Sequence, residues 1–193
     1  SRAVRVAWLL EELELLYEIE TFSIGDKALR DPKFRTFHPL GRVPVLIDGN
    51  IKLYESGAII QYILAKYSAG QLQVESTDSN FYQYLQWFHF AEGMIMPPLN
   101  TLVVETVLLP PERKNEVNVK RATKLLNQIL EVVEARLNEV AYLAINFSAA
   151  DIMSGHATIM CAHHGIDLRD KPNCRRYVER LMERPQLQKA WSL

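Results

Sequence analysis

Val43 to Ile63, VPVLIDGNIKLYESGAIIQYI, limits what this chain can fold into more than any other stretch. Val43, Val45 and Ile47 alternate with Pro44, Leu46 and Asp48, and apolar residues on both faces predict a strand buried on both sides. Asp48-Gly49-Asn50 is a turn signal, because Gly and Asn accept the positive φ that a tight hairpin needs. Ile51 and Leu53 open a second strand, which Tyr54-Glu55-Ser56-Gly57 ends. Ala58, Ile59, Ile60, Ile63 and Leu64 then recur at the spacing of a helix's buried face, with Ser56 placed as its N-cap.

Two chemical consequences follow. A proline at the head of a strand has no N–H to give, which leaves the main-chain groups of Val43 for another use, and a cis Val43–Pro44 bond would turn them outward. At the helix start, the N–H groups of Ser56 and Gly57 and the Ser56 hydroxyl converge beside the positive helix end, where a carboxylate binds without further device. Glu55 beside them can accept from an ammonium group. A ligand carrying both charges, an amino-acid head group, fits the pair.

The rest of the chain sets the frame. Its 193 residues suffice for one large domain or two small ones. A net charge of −1 gives no global field to draw nucleic acid or an anionic membrane. No apolar run reaches the length of a membrane span, and there is no secretory signal. Cys161 and Cys174 are too few for a disulfide framework or a structural zinc site, which reads as a reducing, cytoplasmic compartment. His163 and His164 are adjacent and point apart on a helix, so with His156 they read as ordinary helix histidines and not as metal ligands. Arg169 to Arg184 reads as a solvated mixed-charge helix.

Along the chain, Ser1 to Leu16 reads as a helix with Val4, Trp8 and Leu9 on its apolar stripe and Glu11, Glu12 and Glu14 facing water. Tyr17 to Phe22 alternates as a strand, and Lys27 to Thr36 is weakly helical. Residues 68–80 are small and polar, a linker. From Phe81 the pattern is helical: one long segment to about Val107, disturbed by Pro97-Pro98, and another over Glu112 to Val140 after Pro110-Pro111. The shift from mixed α/β to all-α predicts domains at 1–67 and 81–193. Ser148-Ala149-Ala150-Asp151 is a structural capping box, with Phe147 and Ile152 as its hydrophobic staple. Trp87, Phe88, Phe90, Met94 and Met96 cluster mostly as core.

The 43–63 stretch resembles the glutathione-binding core of the cytosolic glutathione transferase superfamily, in which a cis Val-Pro precedes a hairpin and an acidic-Ser pair opens a helix. SRAVRVAWLLEEL at Ser1–Leu13 resembles the first helix of bacterial and fungal members, NFSAADIMSGHA at Asn146–Ala157 their C-terminal capping motif, and RRYVERLMERPQLQKAW at Arg175–Trp191 their last helices. The resemblance implies an α/β thioredoxin-like N-terminal domain, apparently lacking its first strand, followed by an all-α domain for substrate and dimerisation. It implies glutathione as co-substrate, a small hydrophobic electrophile, a detoxifying conjugation and a homodimer. The roles it carries over are the cysteinyl backbone of glutathione on Val43, the γ-glutamyl head on Glu55 and Ser56, and the glycyl carboxylate near Arg42. A hydroxyl or thiol near the first helix activates the sulfur in that family, and Ser1 is the candidate here; the other readings are that Ser1 is a plain helix cap and that the catalytic residue lies upstream of it. Arg2 and Arg5 could add positive charge there, against the plainer reading of exposed first-helix arginines. The missing first strand predicts roughly ten further upstream residues, about two strand-and-loop lengths. Ala144-Ile145-Asn146 lacks the family's usual Gly-Asp turn. The rival reading is a non-catalytic binding or interaction module of the same fold, since fold does not fix function.

Overall fold

The run Arg5 to Leu9 is buried without a break, and it anchors α1 (Ala3–Glu12). The helix stops short of Leu16 because Glu14 adopts a left-handed φ of 52° and the Leu15 N–H reaches back to the Leu10 carbonyl. That is the helix-ending geometry usually marked by glycine. The structure, a computed structural model, describes residues 1–23 and 25–193.

Tyr17 to Phe22, expected as a strand, joins no sheet among the described residues. Lacking a ladder, it lies near water, with Ile19 half exposed. Two short 3₁₀ turns follow at Lys27–Arg30 and Phe34–Thr36. The hairpin then joins β1 (Val45–Asp48) antiparallel to β2 (Ile51–Tyr54), with Asp48 opposite Ile51. Its two-residue turn takes a positive φ at Gly49. The expected burial on both faces does not occur: Ile47 is 55% exposed, because the sheet has only two strands among the described residues. In α2 (Ser56–Tyr67), Ile59, Ile60, Ile63 and Leu64 are buried as their spacing requires, whereas Ala58 faces water.

The chain divides into two compact units, 1–73 together with 183–193, and 74–182. The first is mixed α/β; the second is helical. Sequence alone grouped 81–193, but α8 (Pro185–Ser192) packs on α1 in the first unit. The charges that hold it are two that the sequence placed in water. Glu12 takes a bidentate grip from Arg184 at 2.6 and 2.7 Å, and Glu11 accepts from Lys189 at 2.8 Å and from the Tyr17 hydroxyl at 2.6 Å.

In the helical unit, α3 (Phe81–Phe90) runs through a π turn at Ala91–Ile95 into α4 (Met96–Val103) and a second π turn at Val104–Leu108. Pro97 and Pro98 fall at the start of α4, and the π turn before them re-phases the helix instead of breaking it. Trp87, Phe88 and Met96 are buried, while Met94 is half exposed. The 22-residue α5 (Glu116–Leu137) is capped by Asn115, whose side chain accepts from the Val117 N–H. A π turn at Asp151–Gly155 leads into α6 (His156–His163), and α7 (Pro172–Met182) follows.

The capping box forms as its spacing requires. The Ser148 N–H donates to Asp151 Oδ2 at 3.0 Å, and the Ala150 N–H donates to Ser148 Oγ at 3.3 Å. Asp151 also accepts from the Leu143 N–H at 2.9 Å and the Tyr177 hydroxyl at 2.6 Å, so it ties three segments of the unit together. Burial pushes its carboxyl up to about 6 despite these donors.

Candidate functional site

The hairpin register, continued past its last pair, sets Pro44 level with Glu55 and Val43 level with Ser56. The strand entrance and the helix start are therefore brought side by side. The Val43–Pro44 bond is cis. Among the described residues, neither the N–H nor the C=O of Val43 takes a main-chain partner. Upstream, Gly41 has a φ of +62°, and a Cβ there would lie 2.1 Å from the Leu29 carbonyl oxygen, so only glycine lets this loop close. Arg42 next to it is exposed.

Ser56 is not the cap that the sequence suggested. It is the first helical residue, 3% exposed, and Glu55 occupies the cap position with φ 74° and ψ 113° and no side-chain capping bond. That conformation is rare for any residue with a Cβ and costs of order 1–3 kcal/mol. The cost leaves the Glu55 carboxylate exposed at the mouth of the helix instead of turned back on it. The first N–H groups of α2 have no intrahelical acceptor, as at any helix start.

The Ser56 hydroxyl has one partner among the described residues: it accepts from Arg5 Nη1 at 3.3 Å. Arg5 is fully buried, against the expectation of an exposed first-helix arginine. Its spacing was the missed signal, because Arg5, Trp8 and Leu9 stand at i, i+3 and i+4 and share the buried stripe. Ser1 lies at the other end of the expected site. It is exposed, its Oγ accepts from the Ala3 N–H at 3.2 Å, and its carbonyl accepts from the Val4 N–H at 3.3 Å, the bonds of a residue steadying a helix start.

Residues 1–65 match the family profile described as Glutathione S-transferase, N-terminal domain. Glutathione S-transferase F10 of Arabidopsis thaliana is 35% identical over 152 residues, covering 77% of this chain and 71% of the relative. The chain belongs to the glutathione S-transferase family. A second member, Glutathione S-transferase 3 of Schizosaccharomyces pombe, is 33% identical over 97 residues, and the match spans 40% of its length. Among solved glutathione transferases, URE2P8 from Phanerochaete chrysosporium with oxidized glutathione superposes with a TM-score of 0.88 at 27% identity, covering 100% of this chain and 90% of that one. A glutathione S-transferase-I bound with lactoylglutathione gives 0.84 at 28% identity, covering 100% and 94%.

No group of three or more His, Cys, Asp or Glu gathers as metal ligands would among the described residues. Their helices include none long and apolar enough to cross a membrane. Cys161 and Cys174 are both free and buried, and burial pushes the Cys161 thiol up to about 12. Neither has the character of a reactive thiolate.

Proposed function

We propose that this chain is a glutathione transferase that binds glutathione through Val43, Glu55 and Ser56 and transfers its thiolate to a small electrophile. The observation that carries the reading is the Val43 main chain, without a main-chain partner among the described residues, set beside the open, strained start of α2 at Glu55-Ser56. In this reading the Val43 N–H and C=O pair with the cysteinyl backbone as a short antiparallel strand. The N–H groups at Ser56 and Gly57 and the Ser56 hydroxyl take the γ-glutamyl carboxylate, which the helix end favours. Glu55 accepts from the ammonium group, and exposed Arg42 meets the glycyl carboxylate. The solved relatives that carry oxidized glutathione and lactoylglutathione support glutathione as the ligand.

The chemistry is one step. The sulfur of the bound thiolate attacks the electrophilic carbon, an S–C bond forms, and the leaving group or the electron pair of an acceptor double bond takes up the charge. Lowering a thiol from its ordinary value near 8.5 by two units takes about 2.7 kcal/mol, within reach of one hydroxyl donor and a helix end. Ser1 is the hydroxyl assigned to that donor. The protein works as a cytoplasmic homodimer, as the family resemblance implies. Ultraviolet titration of the bound thiol tests the transferase reading against that of a binding module. The reading expects thiolate absorbance at neutral pH; a bound thiol that titrates as in free solution would leave binding and remove catalysis.

A further inference from the structure

His38 is buried, and it gives two acceptors to the loop that follows it. Its carbonyl accepts from the Gly41 N–H at 2.9 Å, and its ring Nδ1 accepts from the Leu40 N–H at 3.1 Å. Pro39, between them, has a fixed φ and no N–H of its own to place. The chain leaves this turn through the left-handed Gly41 and runs straight into Arg42, Val43 and the cis bond to Pro44. The His38 ring also lies against Tyr54, with the ring centroids 4.7 Å apart. Tyr54 pairs with Val45 in the hairpin and immediately precedes Glu55. One side chain is thus in contact with both segments that meet at the proposed seat, the loop into Val43 and the strand into Glu55.

The ring contact works in one protonation state. The Leu40 N–H can only donate, so Nδ1 must carry a lone pair and the ring proton sits on Nε2. An imidazolium has an N–H at both positions and no acceptor. Its Nδ1 proton would face the Leu40 N–H, donor against donor, in a buried place. The charged or titratable groups on the elements against the ring are Arg35 on the second 3₁₀ turn and Lys52 and Tyr54 on β2. Lys52 lies 4.6 Å over the neighbouring Phe37 ring. Arg42 and Glu55 follow on the two flanking segments.

We infer that His38 is a positioning residue for the proposed glutathione seat: through Nδ1 it fixes the turn that presents Arg42 and Val43, and it does so only as a neutral imidazole, so that acid loosens the seat. The inference rests on reading Val43 and Glu55-Ser56 as that seat. His38 acts through the loop and is not assigned a contact with the ligand.

The test is calorimetric titration of the full chain with S-methylglutathione, whose blocked sulfur has no proton to lose and whose charges are constant between about pH 5 and 7. Wild-type affinity is expected to fall at least about fivefold from pH 7 to pH 5 as the loop loses its acceptor. His38→Asn sets an amide oxygen where Nδ1 stands and does not titrate. It should bind within about threefold of wild type at pH 7 and change less than about twofold by pH 5, although every other titratable group is retained. His38→Gln carries its oxygen one carbon further out and should bind at least about fivefold more weakly than wild type at pH 7, with no fall of its own by pH 5. Thermal melting at both pH values identifies the variants that fold; where His38→Gln does not, wild type against His38→Asn across pH decides. A flat wild-type affinity, a His38→Asn that keeps the wild-type fall, or folded Asn and Gln variants that bind alike overturns the inference and leaves the seat standing. A wild type that binds S-methylglutathione at neither pH overturns the seat, and the role of His38 with it.

Discussion

Arg184 clamps Glu12 through Nε and Nη2 of its guanidinium, at 2.6 and 2.7 Å, and so fastens the last helix of the chain to the first. The side chain of Glu12 is only 5% exposed and also accepts from Trp8 Nε1 at 2.7 Å. An ion pair this sheltered and this well formed differs from the usual surface pair, which contributes little. Glu12→Ala should lower unfolding free energy by about 2–4 kcal/mol, since it removes the bidentate partner of a partly buried guanidinium. A double-mutant cycle with Arg184→Met, followed by urea unfolding, should give a coupling energy of at least about 1 kcal/mol. Additive losses would mean that the clamp is ornamental.

Ile145 adopts a φ of +77°, a poor choice for a β-branched residue, in the turn where the family usually has Gly-Asp. It is 42% exposed, so little apolar burial depends on it. Left-handed backbone costs an L-residue about 1–2 kcal/mol, and glycine's extra chain entropy returns roughly 0.5–1. Ile145→Gly should therefore stabilise the protein by about 0.5–1 kcal/mol, while Ile145→Val should not. A destabilised glycine variant in a thermal melt would contradict this.

The pH dependence of stability should carry the mark of Asp151. Its folded pKa of about 6 lies above the ordinary carboxyl value of 3.8, so the folded state favours the protonated form. The corresponding stability is fully present below about pH 4 and is lost as pH rises through 6. Two units correspond to something on the order of 3 kcal/mol. Between pH 7 and 5 the urea midpoint should rise, and Asp151→Asn, destabilised throughout by loss of the cap, should lack that rise. Glu11, Glu105 and Asp167 are held below their ordinary values, chiefly by hydrogen bonds from Lys189, Asn118 and Arg169, and contribute in the opposite sense at lower pH. A midpoint that is flat between pH 7 and 5 would sink the assignment.

Ser148→Ala removes the hydroxyl of the same capping box and should cost about 0.5–2 kcal/mol of stability with glutathione affinity nearly unchanged. Ser148 belongs to the helical unit and lies outside the proposed seat. Lost affinity at full stability would make it part of the site.

How much of this was legible in the sequence follows from the range of the forces involved. In the 43–63 stretch the Gly49 turn and the apolar spacing of Ile59, Ile60, Ile63 and Leu64 read correctly because each acts over a few residues, whereas the burial of β1 on both faces and of Ala58, and the cap at Ser56, did not. Ser148 and Asp151 read correctly for the same reason. The errors lie where a partner distant in sequence decides the outcome. Glu11 and Glu12 were placed in water because Lys189 and Arg184 stand more than 170 residues away. Arg5 was placed outside because charge was weighed above its spacing, and its partner Ser56 is 51 residues on. Tyr17 to Phe22 has the alternation of a strand, but a strand exists only with a neighbour.

The strain at Glu55 separates stability from binding. Glu55→Gly relieves a backbone that glycine adopts freely and removes the carboxylate assigned to the ammonium group. It should hold or raise the melting temperature and still weaken glutathione at least about tenfold. A variant that keeps its affinity would detach the strain from function.

Calorimetric titration of glutathione into the wild type, Glu55→Ala and Ser56→Ala tests the central claim most directly. Each substitution should weaken binding by at least about 1.5 kcal/mol, the low end for a charge-assisted hydrogen bond, with the fold intact by circular dichroism. Unchanged affinity in both variants would contradict the claim that the start of α2 is where this chain holds its ligand.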